Sequence, residues 1–120
     1  MAKFPFEMVP LPEARSTPKP RKTGITMMGE SGTPVGKLED LLGLIGPHVD
    51  LIKIAVGSAR LYRDSYLGQK LRLCEGYGVK PFIGGQFLEY VVATQGFEAA
   101  PAFYKEAKRM GFKAVEVSDN

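Results

Sequence analysis

The sequence predicts an α/β fold: four strand-then-helix units that lay parallel strands side by side. Three observations lead there. β-prone runs begin near residues 25, 51, 79 and 114. The stretches between them carry apolar residues at helical spacing. The first three runs end at glycine, in Gly29, Gly57 and Gly84-Gly85, where the chain must turn from strand towards helix.

Residues 1–23 come before the pattern and hold five of the nine prolines: Pro5, Pro10, Pro12, Pro18 and Pro20. Proline removes backbone donors and disfavours helix in the preceding residue, so this segment reads as an extended arm. Lys19, Arg21 and Lys22 lie in it and read as solvated charge, with a polyanion contact as the second reading. The first unit opens with Gly24-Ile25-Thr26-Met27-Met28 and ends at Gly29. After the loop Glu30-Ser31-Gly32, Thr33 is expected to cap a helix with Pro34 at its first position. Val35, Leu38, Leu41, Leu42 and Ile45 give that helix one apolar face, and Gly46-Pro47 stops it.

The second unit has the strongest strand, Leu51-Ile52-Lys53-Ile54-Ala55-Val56, ending in Gly57-Ser58. Asp64 is expected to cap the next helix, whose apolar face is Leu67, Leu71 and Cys74, closed by Gly76 or Gly78. The third strand is Val79-Lys80-Pro81-Phe82-Ile83; Pro81 costs it a ladder hydrogen bond and is tolerable near the strand start. A short helix over Phe87–Thr94 breaks at Gly96. A longer one follows with Phe103, Ala107 and Met110 on one face and Gly111 past its end. The fourth strand, Ala114-Val115-Glu116-Val117, leads into Ser118-Asp119-Asn120. Two arrangements satisfy this alternation, an open doubly wound sheet and a barrel. A complete barrel takes roughly 250 residues. On the barrel reading, residues 24–120 form its N-terminal half.

A chain of 120 residues that is 44% hydrophobic can bury one core. The net charge of +3 is mild and lacks the dense basic stripe of a nucleic-acid binder. The single cysteine, Cys74, excludes an internal disulfide and suits a reducing compartment. No apolar stretch approaches the ~20 residues that cross a bilayer. The N-terminus lacks the apolar run of a signal peptide. The expectation is a cytoplasmic protein with neither membrane nor nucleic acid as partner.

In both arrangements ligands gather at the C-terminal ends of the strands. Those positions hold Gly29-Glu30, Gly57-Ser58, Gly84-Gly85-Gln86 and Ser118-Asp119, so Gly57, Ser58, Gly84, Gly85 and Gln86 are the candidate substrate-binding residues. A tight turn alone explains any one of these glycines; three in register favour a site. Lys53 between isoleucines and Glu116 between valines carry more weight. Side chains alternate along a strand, so if the aliphatic neighbours face helices, both charges face the opposite side. A charge there needs a partner: the other charge, Glu30, Asp119 or a ligand. An internal ion pair that only fixes packing is as good an account as direct catalysis. Glu30, Glu89, Glu116 and Asp119 are the carboxylates nearest that end, and oxygen donors suit Mg²⁺.

Other residues carry less. Gly29-Glu30-Ser31-Gly32 is no phosphate loop, since Gly36-Lys37 is followed by Leu38. His48 after Gly-Pro reads as solvent-facing, and Cys74 as core. Arg60 and Arg63 follow the second strand and read first as solvated charges.

Three stretches taken together resemble phosphosulfolactate synthase: Val49-Asp50-Leu51-Ile52-Lys53-Ile54-Ala55-Val56-Gly57-Ser58, Gly84-Gly85-Gln86-Phe87-Leu88-Glu89, and Gly111-Phe112-Lys113-Ala114-Val115-Glu116-Val117-Ser118-Asp119. Their order and spacing match over roughly residues 20–120. The lead-in Pro20-Arg21 and Gly24-Ile25-Thr26 is similar to that of the plant heat-stress-associated proteins on the same scaffold. The resemblance implies a TIM-type (β/α) barrel, of which this chain holds the first four units. It implies a lyase that adds sulfite to phosphoenolpyruvate with Mg²⁺, as in coenzyme M biosynthesis. On that reading Lys53 and Glu116 are catalytic in the barrel interior, and Glu30 and Asp119 hold the metal at its mouth. The partners are small anionic substrates and further copies of the chain. The family's later strands, with a further catalytic lysine, fall beyond residue 120. A non-enzymatic stress or interaction protein on the same scaffold is the alternative. A half-barrel that closes by dimerisation is a third.

Overall fold

The computed structural model describes residues 4–12 and 18–119. Asn120 and the start of the arm at Met1 lie outside the described residues. Eight main elements follow in order: β1 (Met27–Glu30), α1 (Val35–Ile45), β2 (Leu51–Ile54), α2 (Asp64–Gly76), β3 (Lys80–Gly84), α3 (Gln86–Gln95), α4 (Ala100–Met110) and β4 (Ala114–Glu116). The strands form one parallel sheet in the order β1-β2-β3-β4. A doubly wound sheet would reverse direction partway. This one never does, and its helices pack on a single face, which is the arrangement of a barrel segment.

Period two in the strands creates that layering. Ile52 and Ile54 of β2 and Ile83 of β3 point to the helices. Ile52 packs with Leu38, Leu42, Cys74 and Val79; Ile54 and Ile83 pack with Leu67, Leu71, Ala107 and Phe112. The helix faces predicted from spacing supply these partners: Leu38 and Leu42 from α1, Leu67, Leu71 and Cys74 from α2, Ala107 from α4. Pro81 lies fully buried in the interior strand β3. Its carbonyl accepts from Lys113 N–H on the β4 side. The missing proline N–H therefore also faces that side, one step before β4 pairing begins at Phe82 and Ala114.

Several boundaries differ from the sequence reading. β1 starts at Met27 and continues through Glu30, because Glu30 pairs with Ile54 rather than opening a loop. Pro34, not Thr33, is the residue before α1, and the Thr33 N–H donates to Glu30 Oε2 at 3.0 Å. Asp64 is the first residue of α2 rather than its cap. It bonds Arg109 of α4, which holds its carboxyl below the ordinary value. Residues 5–8 of the arm form a turn, closed by Val9 N–H on Phe6 O at 2.9 Å, where an extended chain was expected.

The largest correction is at Lys19 and Arg21, which are not solvated. Both fold under the N-terminal ends of the strands. The Lys19 ammonium donates to the carbonyls of Gly46, Val49, Tyr77 and Gly78, where α1 and α2 end. Burial strips it of water and draws its pKa below the ordinary lysine value, against the pull of Asp50. Arg21 donates to Asp50 Oδ1 at 2.7 Å and to Pro47 O. Asp50 Oδ2 accepts from Thr26 N–H at 2.8 Å, so one carboxylate ties this strap to the start of the sheet. Burial acts to raise the Asp50 carboxyl; the Thr26 bond and Arg21 outweigh it and hold the pKa low. Lys22 is exposed.

Candidate functional site

The face of the sheet away from the helices carries Lys53 and Glu116. They come from β2 and β4, with β3 between them. Lys53 stands beside Phe82 of β3 and Glu116 beside Gly84, two residues further along. Lys53 Nζ nonetheless reaches Glu116 Oε1 at 2.7 Å. The bridge crosses β3 where that strand has no side chain. A Cβ at Gly85 would stand 2.3 Å from Glu116 Oε1 and 3.0 Å from Lys53 Nζ. At Gly84 it would stand 2.2 Å from the Glu116 carbonyl oxygen. Both glycines also have positive φ, 129° at Gly84 and 65° at Gly85. The tight-turn account is incomplete here, because Gly85 makes room for the ion pair and Gly84 for the backbone of β4. The Gly85 N–H also donates to Glu116 O at 2.8 Å, so the same turn that clears the space holds β4 in place.

The pair remains reachable: the Lys53 side chain is 22% exposed and that of Glu116 37%. Beside it, Gln86 opens α3 and lines a cleft of about 360 Å³ with Val56, Gly57, Arg60, Leu61, Phe87 and Tyr90. Gly57 abuts the Phe87 ring. Ser58 Oγ is buried without a hydrogen-bond partner. Val56 holds a φ of 56°, an unusual conformation for a β-branched residue, at the edge of this cleft. The structure thus brings together Lys53, Glu116, Gly84 and Gly85 at one point, and Gly57 and Gln86 at the adjoining cleft. Ser118 donates to Glu89 Oε2 at the end of β4.

Glu30 is elsewhere. Gly29 pairs with Lys53 and Glu30 with Ile54, so the two-residue period turns Glu30 to the helix face. There it is 5% exposed and bonded to Lys70 of α2 at 2.8 Å, with Glu30 Oε1 unpartnered. The Lys70 ammonium also donates to Tyr62 Oη at 3.3 Å and sits 4.6 Å from the centre of that ring. Tyr62 Oη accepts from Gly32 N–H at 2.8 Å, and Tyr66 Oη from Val35 N–H at 2.8 Å. The network fastens the loop from β1 to α1. Asp119 is exposed at the far end of β4. Glu30 and Asp119 therefore do not form a metal pair. Among the described residues no three His, Cys, Asp or Glu side chains converge on one point.

Lys70 was missed by the sequence reading, although its position carried the signal. It lies three residues after Leu67 and four before Cys74, on the face that reading called apolar. A lysine there needs a buried partner, and the strand-terminal Glu30 supplies it. Cys74 is core, as expected. Burial, with Glu30 adding to it, pushes its thiol up to about 11. Arg63 precedes α2, and His48 is exposed. No helix among the described residues is long and apolar enough to cross a membrane.

Comparison with known proteins gives the family. The family model for (2R)-phospho-3-sulfolactate synthase (ComA) matches residues 14–120. Phosphosulfolactate synthase of Methanothermobacter thermautotrophicus is 31% identical over 101 residues, covering 84% of this chain and 38% of that protein. The phosphosulfolactate synthase of Methanocaldococcus jannaschii is 29% identical over 96 residues, 80% of this chain and 37% of its own. Protein HEAT-STRESS-ASSOCIATED 32 of Arabidopsis thaliana is 28% identical over 105 residues, 85% of this chain and 36% of its own. The chain thus spans little more than a third of the length of these relatives. With its whole described sheet inside the matched region, it belongs to the (2R)-phospho-3-sulfolactate synthase family.

Proposed function

We propose that this chain supplies part of the active site of a phosphosulfolactate-synthase-like lyase, which adds sulfite to phosphoenolpyruvate. The observation that carries this reading is the Lys53–Glu116 pair, accessible and spanning β3 over two glycines. In the proposed step, sulfite sulfur bonds to the substrate methylene carbon. The alkene electron pair moves towards the carboxylate, and the neighbouring carbon then takes a proton. Negative charge therefore gathers on the carboxylate before protonation. Lys53 is suited to face that charge, because a fixed ammonium in a shielded site stabilises it most. Glu116 is suited to aim Lys53, with Gly57 and Gln86 lining the approach. No step is assigned to Mg²⁺, since Glu30 and Asp119 do not converge. Its place in the reaction is a matter for the assay, run with the metal and after its removal by chelator.

The test is product formation from sulfite and phosphoenolpyruvate, followed by phosphorus NMR in the full-length protein. Lys53→Met is expected to lower kcat at least a hundredfold while the thermal melt stays within a few degrees of native. Unchanged turnover in that variant would remove Lys53 from the reaction. A second reading, a stress-related protein without this activity, is favoured by the match to the Arabidopsis protein. It requires that the native full-length protein give no product under any of these conditions.

A further inference from the structure

At the closed end of the sheet, far along the strands from the Lys53–Glu116 pair, α1 and α2 finish side by side. Helix C-termini leave carbonyls unpaired and carry partial negative charge. Four backbone oxygens at and just beyond these ends surround Lys19 Nζ: Gly46 O at 2.8 Å, which also accepts from Val49 N–H at 3.2 Å, Gly78 O at 3.0 Å, Tyr77 O at 3.4 Å, and Val49 O. An ammonium has three protons to donate. Four oxygens around one nitrogen are therefore a shell around a cation rather than individually matched hydrogen bonds. The Asp50 carboxylate attracts this cation, and the Arg21 guanidinium paired with it opposes that pull.

We propose that this ring is a binding site for a monovalent cation of ammonium or potassium size, and that Lys19 provides its cation in tethered form. Neutral carbonyl rings replace the hydration shell of large singly charged ions. Mg²⁺ takes carboxylates at about 2.0–2.1 Å and keeps its waters, which this ring does not offer. The tether matters because it makes binding intramolecular, at an effective concentration in the millimolar range. Occupying the site therefore fastens the strap that carries Lys19 and Arg21 beneath the sheet. The proposal stands apart from the reaction proposed above and would survive its failure.

The experiment is Lys19→Met in the full-length protein, which keeps the stem and removes the ammonium. Thermal unfolding is followed in choline, lithium, potassium and methylammonium chlorides at equal ionic strength. In choline the variant is expected to melt about 5 °C or more below native. Methylammonium or potassium should return at least half of that loss, lithium should not, and the native protein should melt alike in all four. A variant that melts as the native does, or that responds equally to every salt, overturns the proposal. If Lys19→Met does not fold, the native protein labelled with ¹⁵N decides. A slowly exchanging ammonium signal that disappears in Lys19→Arg supports the site. An ammonium exchanging as fast as exposed lysines overturns it.

Discussion

Two lysine–glutamate pairs lie on opposite faces of this sheet, one from helix to strand and one across β3, and their surroundings give them different physics. Lys70–Glu30 is enclosed, with side chains 0% and 2% exposed. Removing one partner strands a charge in the core. Lys70→Met is expected to cost about 3–5 kcal/mol. Adding Glu30→Gln should recover more than half of it, as read from urea unfolding in a double-mutant cycle. If the two single costs simply add, the carboxylate and ammonium are not coupled. Lys53–Glu116 is open to solvent on one side. A pair so exposed adds at most ~1 kcal/mol to stability, so stability is a poor reason for placing it over two glycines. On the function proposed above, its value lies in a fixed positive charge that a ligand can reach.

Among the elements, the β3–α3 turn is the most constrained. Gly84→Ala would drive a Cβ against the β4 backbone at 2.2 Å, in a positive-φ conformation. Neither strand can turn aside, so a loss of roughly 3 kcal/mol or more is expected, strain of ~1–3 kcal/mol adding to the clash. Gly85→Ala meets the ends of two side chains, which can rotate away. It should cost about 1–2 kcal/mol, mostly strain, yet break the ion pair and with it sulfite addition. Chemical denaturation and the phosphorus assay together separate the two. A Gly85→Ala protein with native activity would show that the pair has no part in turnover.

The same turn shows what the sequence can reveal. All four strands and four helices were legible because hydrophobic period, glycine and proline act locally. Lys53 and Glu116 were legible as charges between aliphatic residues, and their mutual contact was one of the partners foreseen. Glu30 was misplaced because one residue of strand length decides its face, and the β1 end depends on pairing with β2. Lys19 and Arg21 were misread because their partners are backbone carbonyls and a carboxylate 26 to 59 residues away. Proline content alone says nothing about where an arm lands.

For the whole molecule, helices cover one face of the sheet and only the strap lies near its lower rim. Parallel sheets are normally covered on both faces. Here Met27 is 53% exposed on the open face, and β1 and β4 are both edges. The 120-residue chain by itself is expected to self-associate, with a light-scattering mass that rises between micromolar and higher concentration. A monomer at all concentrations would show that this face tolerates water.

The unbroken strand order has a consequence for synthesis. Each strand pairs with the one made just before it, so the sheet can grow as the chain leaves the ribosome. Two connections must wait. Lys19 cannot lock until Gly78, 59 residues later, has emerged, and Lys53 cannot meet Glu116 until 63 more residues have been added. The scaffold is thus secured from beneath before the charge pair above it can close.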